Sequence, residues 1–177
     1  MLTSRLPGRV EPYKLAAHAE HLDGLVALAD MSRLTEEAGA QQGDASVWLE
    51  FAIDAQGRRV IRGRLEAELQ LPCRRCLEPM AQHVASDFQL GLVSSDDMAA
   101  NLPATYEPVL VENEQLSLLG VIEDELILCL PQVVYHDESE CPVSREQLSS
   151  GVEAEVSEAP SGNPFEVLKR LKGNTDT

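Results

Sequence analysis

Aromatic residues are scarce in this 177-residue chain, which has one Trp, three Tyr and three Phe. Leu, Val, Ile and Ala must therefore fill any core, and stacking platforms are too few for sequence-specific reading of unpaired bases. Long apolar runs are missing too. Nothing approaches the roughly 18 consecutive apolar residues of a membrane span, and the segment from Met1 to Val10, with Arg5, Pro7, Gly8 and Arg9, is followed by no apolar leader core. The expected location is the cytoplasm, with no membrane partner. Positive charge is also in short supply: 14 Lys and Arg face 30 Asp and Glu, a formal charge of −16. That balance disfavours non-specific binding to polyanions and favours basic partners. Gly-rich phosphate loops and Ser-x-x-Lys signatures are lacking, and no nucleophile accompanies His18, His21 or His83. These absences argue against an enzyme and against a small-molecule substrate.

The positive charge that exists is concentrated. Arg58, Arg59, Arg62, Arg64, Arg74 and Arg75, six of the fourteen basic residues, fall within eighteen positions, whereas residues 107–158 hold thirteen acidic residues and only Arg145. The arginine segment coincides with a strand pattern. Ile61, Gly63, Leu65, Ala67, Leu69 and Leu71 alternate with Val60, Arg62, Arg64, Glu66, Glu68 and Gln70, which is the period of a half-buried strand. Arg62 and Arg64 then share its polar face, with Arg58, Arg59, Arg74 and Arg75 at its two ends. Such a strip is able to track several phosphates of an RNA helix. Its plainer reading is the wet face of a strand, offset by Glu66 and Glu68.

Val47, Leu49, Phe51 and Ile53 mark a preceding strand that ends at the turn-forming Asp54-Ala55-Gln56-Gly57. Met80, Val84, Phe88 and Leu90 mark a following one. Together they predict a three-stranded antiparallel meander over about residues 46–91. The fold class is α+β: an antiparallel sheet, open or partly closed into a barrel, covered by short helices. Helices are predicted over residues 13–22, 31–38 and 115–130, with a brief strand at 25–28, a surface loop over 94–108 and a short edge strand at 109–111. In the 115–130 helix, Leu119, Ile122, Leu126 and Cys129 form the apolar stripe, leaving Glu123, Asp124 and Glu125 largely outside it. These three acids are candidate contacts for a basic partner, such as a small ribosomal protein; the plain alternative is a solvated face. The core domain is expected over residues 1–148, a flexible acidic linker over 149–162, and a last helix and tail over 163–177.

Cys73 and Cys76 sit in a tight turn between the two strands that follow residue 59. Four cysteines in a cytoplasmic chain should be reduced, so a disulfide framework is not expected. Cys-x-x-Cys is half a zinc knuckle, and His136 with Cys141 are candidates for the other half, 59 residues further on. Against zinc, the thiols would pack as small apolar groups while the turn displays Arg74 and Arg75. A thioredoxin-like reading fits poorly, because the pair lies in a hairpin and not at a helix start. Cys129 belongs to the core.

Cys73-Arg74-Arg75-Cys76 is followed in order by Tyr106-Glu107-Pro108, by Glu123-Asp124-Glu125-Leu126-Ile127-Leu128 running into Leu130-Pro131, His136-Asp137 and Cys141, and by Asn163-Pro164-Phe165 with Val167-Leu168 and Leu171-Lys172. In these blocks and their spacing the chain resembles the bacterial YceD family, the large ribosomal RNA subunit accumulation proteins, over nearly its whole length. The resemblance implies a non-catalytic role in the accumulation of 23S ribosomal RNA and early assembly of the large subunit. The implied partner is 23S ribosomal RNA or a pre-large-subunit particle. The competing expectation is an acidic, zinc-binding protein adaptor that makes no direct RNA contact.

Overall fold

The alternating apolar pattern becomes a five-stranded sheet in the computed structural model, which describes residues 4–144 and residue 147. Strand β1 (Arg9–Val10) leads into helix α1 (Pro12–Ala17), strand β2 (His21–Ala27), a single 3-10 turn (Leu28–Asp30) and helix α2 (Ser32–Ala38). The long strands β3 (Asp44–Ile53), β4 (Arg59–Pro72) and β5 (Pro79–Val93) follow. Then come helix α3 (Asp96–Ala100), strand β6 (Glu107–Leu110), strand β7 (Leu116–Ser117) and helix α4 (Leu118–Leu128). The main sheet has the order β2-β3-β4-β5-β6, and β1 pairs separately with β7. Contacts group Met1–Pro142 into one unit. The linker and last helix expected beyond residue 148 lie outside the described residues.

β2 to β5 form an antiparallel meander, one strand longer than its pattern predicts, and β6 adds in parallel to the far end of β5. The sheet stays open. Its two ends, β2 and β6, do not meet, so the partly closed barrel is not the architecture adopted. On the inner face Val47, Leu49, Phe51, Ile61, Leu65, Leu69 and Leu90 are buried, and helices α1, α2 and α4 lie against the sheet. The apolar area withdrawn from water across this interface is the main stabilising term, at roughly 25 cal/mol per Å². Gly63 faces Phe88 across the β4–β5 pair, and a Cβ at Gly63 would sit 2.0 Å from the Phe88 ring. The ring fills the space a side chain would take.

Two helices differ from their predicted extent. α1 stops at Ala17, and Ala19 takes a left-handed φ of 51°, because Glu20 must turn to pair with β3, its carbonyl accepting from Phe51 N at 2.9 Å. His21 and Leu22, expected in the helix, are thus drawn into β2 by the sheet. The 115–130 helix begins only at Leu118, capped by Ser117 Oγ accepting from Gly120 N at 3.2 Å, since Leu116 and Ser117 pair with β1.

The buried face of α4 is Leu118, Val121, Ile122 and Leu126, joined by Glu123 and Glu125, which are only 5% and 6% exposed. The expectation that these two acids lie in solvent is therefore corrected. Glu123 is buried because α2 lacks a capping side chain of its own: Met31 occupies that position. Glu123 Oε1 accepts from Arg33 N at 2.6 Å and Leu34 N at 3.1 Å, the amides that a side-chain cap normally satisfies. Its Oε2 accepts from Arg33 Nε at 3.0 Å, and Asp124 completes the pairing with the same guanidinium.

Candidate functional site

The hairpin between β4 and β5 closes on the turn Cys73–Leu77, where Cys73 N donates to Glu78 O at 2.9 Å and Leu77 N to Cys73 O at 2.8 Å. Leu77 takes φ 63°, a left-handed conformation uncommon for a side chain of its size. After α4 the chain returns to this tip. Arg74 N donates to Val134 O at 2.9 Å, which places residues 134–141 beside the turn.

The return brings together the two halves that the sequence separates by 59 residues. One ligand atom from each of Cys73, Cys76, His136 and Cys141 lies within 4.8 Å of all the others. Tetrahedral zinc, with Zn–S near 2.3 Å, requires sulfurs roughly 3.8 Å apart, so a small contraction suffices. Cys76 Sγ and His136 Nδ1 are already 3.3 Å apart. Cys73 Sγ, fully buried, accepts from Arg75 N and His136 N, each at 3.4 Å. Burial alone would push the Cys73 thiol up, but backbone N–H groups of Cys76, His136 and Arg75 outweigh it and bring the thiol down to about 5. Burial pushes the Cys76 thiol up, and the sulfurs of Cys73 and Cys141 add to this. One ready thiolate with further donors around it is a donor set that fits a soft or borderline divalent cation. Cys129 stands apart: its thiol donates to Leu126 O at 3.2 Å and packs against the core.

Of the six arginines, Arg62 and Arg64 share the outer face of β4 as the alternation predicts, but most of the six are engaged. Arg58 is held by Asp54, Nε to Oδ2 at 2.7 Å, and lies over the Tyr106 ring; Arg59 lies over Tyr13. Arg62 pairs with Glu50 at 3.2 Å and Arg64 with Glu66 at 2.8 Å on the outer sheet face. That face also carries Asp23, Glu68 and Asp87, and a Trp48 that is 43% exposed beside Arg64. Arg75 is not displayed by the turn. Its side chain is 11% exposed, stacks on Tyr135 and donates to His136 O, tying the returning segment to the tip. Arg74 is exposed and enters no ion pair among the described residues.

Of the acidic candidates, Glu123 is spent on α2 and Asp124 on Arg33. Glu125 lies at the C-terminal end of α4, accepting from Ser86 Oγ at 3.4 Å, and burial followed by Glu107 pushes its carboxyl above the ordinary range. Sequence reasoning missed Arg33, Tyr135 and Val134. None has a periodic or motif signal, because each acts only through a contact made across the fold.

This arrangement defines a small α+β protein whose hairpin tip and returning segment converge on a Cys₃His cluster. The chain belongs to the YceD family: the family described as large ribosomal RNA subunit accumulation protein YceD matches residues 61–172. The Large ribosomal RNA subunit accumulation protein YceD of Haemophilus influenzae is 37% identical over 170 residues, covering 95% of this chain and 97% of that protein. No solved structure matches the chain. No helix among the described residues is long and apolar enough to cross a membrane.

Proposed function

We propose that this protein supports accumulation of the large-subunit ribosomal RNA in the cytoplasm as a binding factor without catalysis of its own. Its identity with the Haemophilus influenzae protein along nearly the full length of both chains carries this reading. The partner is 23S ribosomal RNA or a pre-large-subunit particle, with Arg58, Arg59, Arg62, Arg64, Arg74 and Arg75 as the contact set and Arg74, exposed at the tip, as its leading member. Cys73, Cys76, His136 and Cys141 hold a zinc ion, whose chemistry here is structural cross-linking of the tip to residues 136–141. The convergence of the four donors and the N–H groups aimed at Cys73 Sγ support this role.

A second reading makes the protein an adaptor for a small basic ribosomal protein. The pairing of Arg62 with Glu50 and of Arg64 with Glu66 favours it, since that part of the strip offers phosphates little free charge. Purification from cells at low and high salt, with sequencing of bound RNA, identification of bound proteins and elemental analysis, separates the readings. Enrichment of 23S RNA that weakens with salt supports the first. Recovery of a basic ribosomal protein without RNA supports the second, and recovery of neither refutes both.

A further inference from the structure

Strand β5 is fifteen residues long, yet it has neighbours on both sides only at its end. β4 pairs with it from Pro79 to Gly91, whereas β6 pairs only with Leu90 to Val93. Among the described residues, the second edge along residues 80–89 has no strand beside it, and its backbone makes no hydrogen bond to other backbone outside the β4 ladder. A row of amides and carbonyls thus stands open in the middle of a folded sheet, a ready template for another extended chain. The edge is also not flat against solvent. A cleft of about 350 Å³ runs beside residues 86–89, walled by Ala104, Thr105 and Glu107 and by the C-terminal end of α4. Asp87, Glu107 and Glu125 contribute carboxylates to its lining, and among the described residues no Lys, Arg or His does.

We propose that this open edge of β5 is a docking site for an extended, Lys- and Arg-rich segment of a partner protein, which adds as a strand in line with β6. The backbone edge selects an extended chain over a helix, because only an extended chain presents its own N–H and C=O groups in register. The carboxylates select basic side chains on alternate residues, those facing the helices meeting Glu125 and those on the opposite face meeting Asp87. An RNA strand is disfavoured by three carboxylates, for the cation beside them, Arg64 across the ladder from Asp87, is already paired with Glu66. A second copy of this chain brings the same acidic edge and a net charge of −16, so like-charge repulsion disfavours it. None of the four cluster residues lines the cleft, and the proposal does not depend on where RNA is held.

The test uses the full chain and a fluorescein-labelled ten-residue peptide of alternating Lys and Val, followed by anisotropy at physiological ionic strength. Two controls accompany it: the same peptide N-methylated at alternate residues, and a helical Lys/Ala peptide of equal charge. The alternating peptide is expected to bind about tenfold or more tightly than either control, and to lose about tenfold or more when Asp87→Asn, Glu107→Gln and Glu125→Gln are combined. Hydrogen exchange should show new protection within residues 80–89. Should the triple variant not fold, the exposed pair Asp87→Asn and Glu107→Gln carries the same comparison. No binding, equal binding of the controls, affinity unchanged in the variants, or protection confined elsewhere would each overturn the proposal.

Discussion

Glu123→Ala isolates a tertiary contact that stands in for a missing helix cap. The substitution removes the acceptor for Arg33 N and Leu34 N at the start of α2 and one partner of the Arg33 guanidinium. Loss of a capping side chain typically costs about 1 kcal/mol. Here the acceptor is 5% exposed and Leu34 is fully buried, so water does not readily replace it, and a buried donor left unsatisfied costs roughly 1–3 kcal/mol. Arg33 itself is about half exposed and recovers solvation, so its side of the ion pair adds little. The expected cost is about 1–3 kcal/mol, at the upper end because the site is buried, which for a domain of this size corresponds to a fall in Tm of about 2–12 °C. Urea denaturation and a thermal melt followed by circular dichroism measure it, with Asp124→Asn as the internal control. That neighbour pairs with the same Arg33 but is 57% exposed, and its loss should cost about 1 kcal/mol or less. Equal, small effects of the two substitutions would refute the claim that Glu123 caps α2.

Four further outcomes are expected. Gly63→Val should cost about 1–3 kcal/mol by driving its Cβ into the Phe88 ring, and Phe88→Leu in the same chain should restore part of that, as a double-mutant cycle would show. Purified protein should contain about one zinc per chain; a chelator should lower the melting temperature, added zinc should restore it, and Cys73→Ser should abolish the response. A carboxyl raised in the folded state stabilises the fold at low pH and loses that contribution as pH rises from the unfolded value of 4.5 through the higher folded value, so Glu125→Gln should gain stability relative to wild type across that window in paired denaturation curves. Replacing Arg62, Arg64 and Arg74 by Gln should leave the melt within a degree or two of wild type. If these residues contact phosphates, it should also flatten the salt dependence of 23S RNA binding by about one unit per lost contact; an unchanged slope would remove them from the interface.

Period-2 alternation made β3, β4 and most of β5 legible in the sequence, because a sheet with one wet face writes its burial directly into every second residue. The Asp54–Gly57 turn was legible as well: Asp54 Oδ1 accepts from Gln56 N and Arg58 N, and Gly57 supplies φ 82°. β2 was legible only in part: residues 25–27 fall in the brief strand expected at 25–28, whereas His21 and Leu22 read as the end of the first helix and are extended only through pairing with β3. The burial of Glu123 was hidden for a different reason. An acid in a mid-helix position reads as solvated unless the amides it satisfies are known, and those amides lie about ninety residues away in the chain. The ligand types of the Cys₃His cluster were visible; their meeting depends on the path of residues 130–136 after α4, which has no periodic signature. The parallel β6 was legible only as a short edge strand, since four residues containing a proline do not disclose their direction.

The open edge of β5 also bears on self-association. Hairpins between consecutive strands close quickly, whereas β6 reaches β5 only after the intervening loop and helix have found their places. A chain still folding therefore shows an even longer bare edge than the finished molecule. Pro79 ends that edge at the tip and Pro108 blunts the strand beyond it, but the stretch between has no proline. The net charge of −16 opposes the approach of two such edges. Near the isoelectric point of about 4.5 the long-range repulsion between copies vanishes while the exposed ladder groups remain. Mild acid therefore turns a feature suited to capturing other chains toward self-association, and neutral buffers are the conditions under which the protein is best handled.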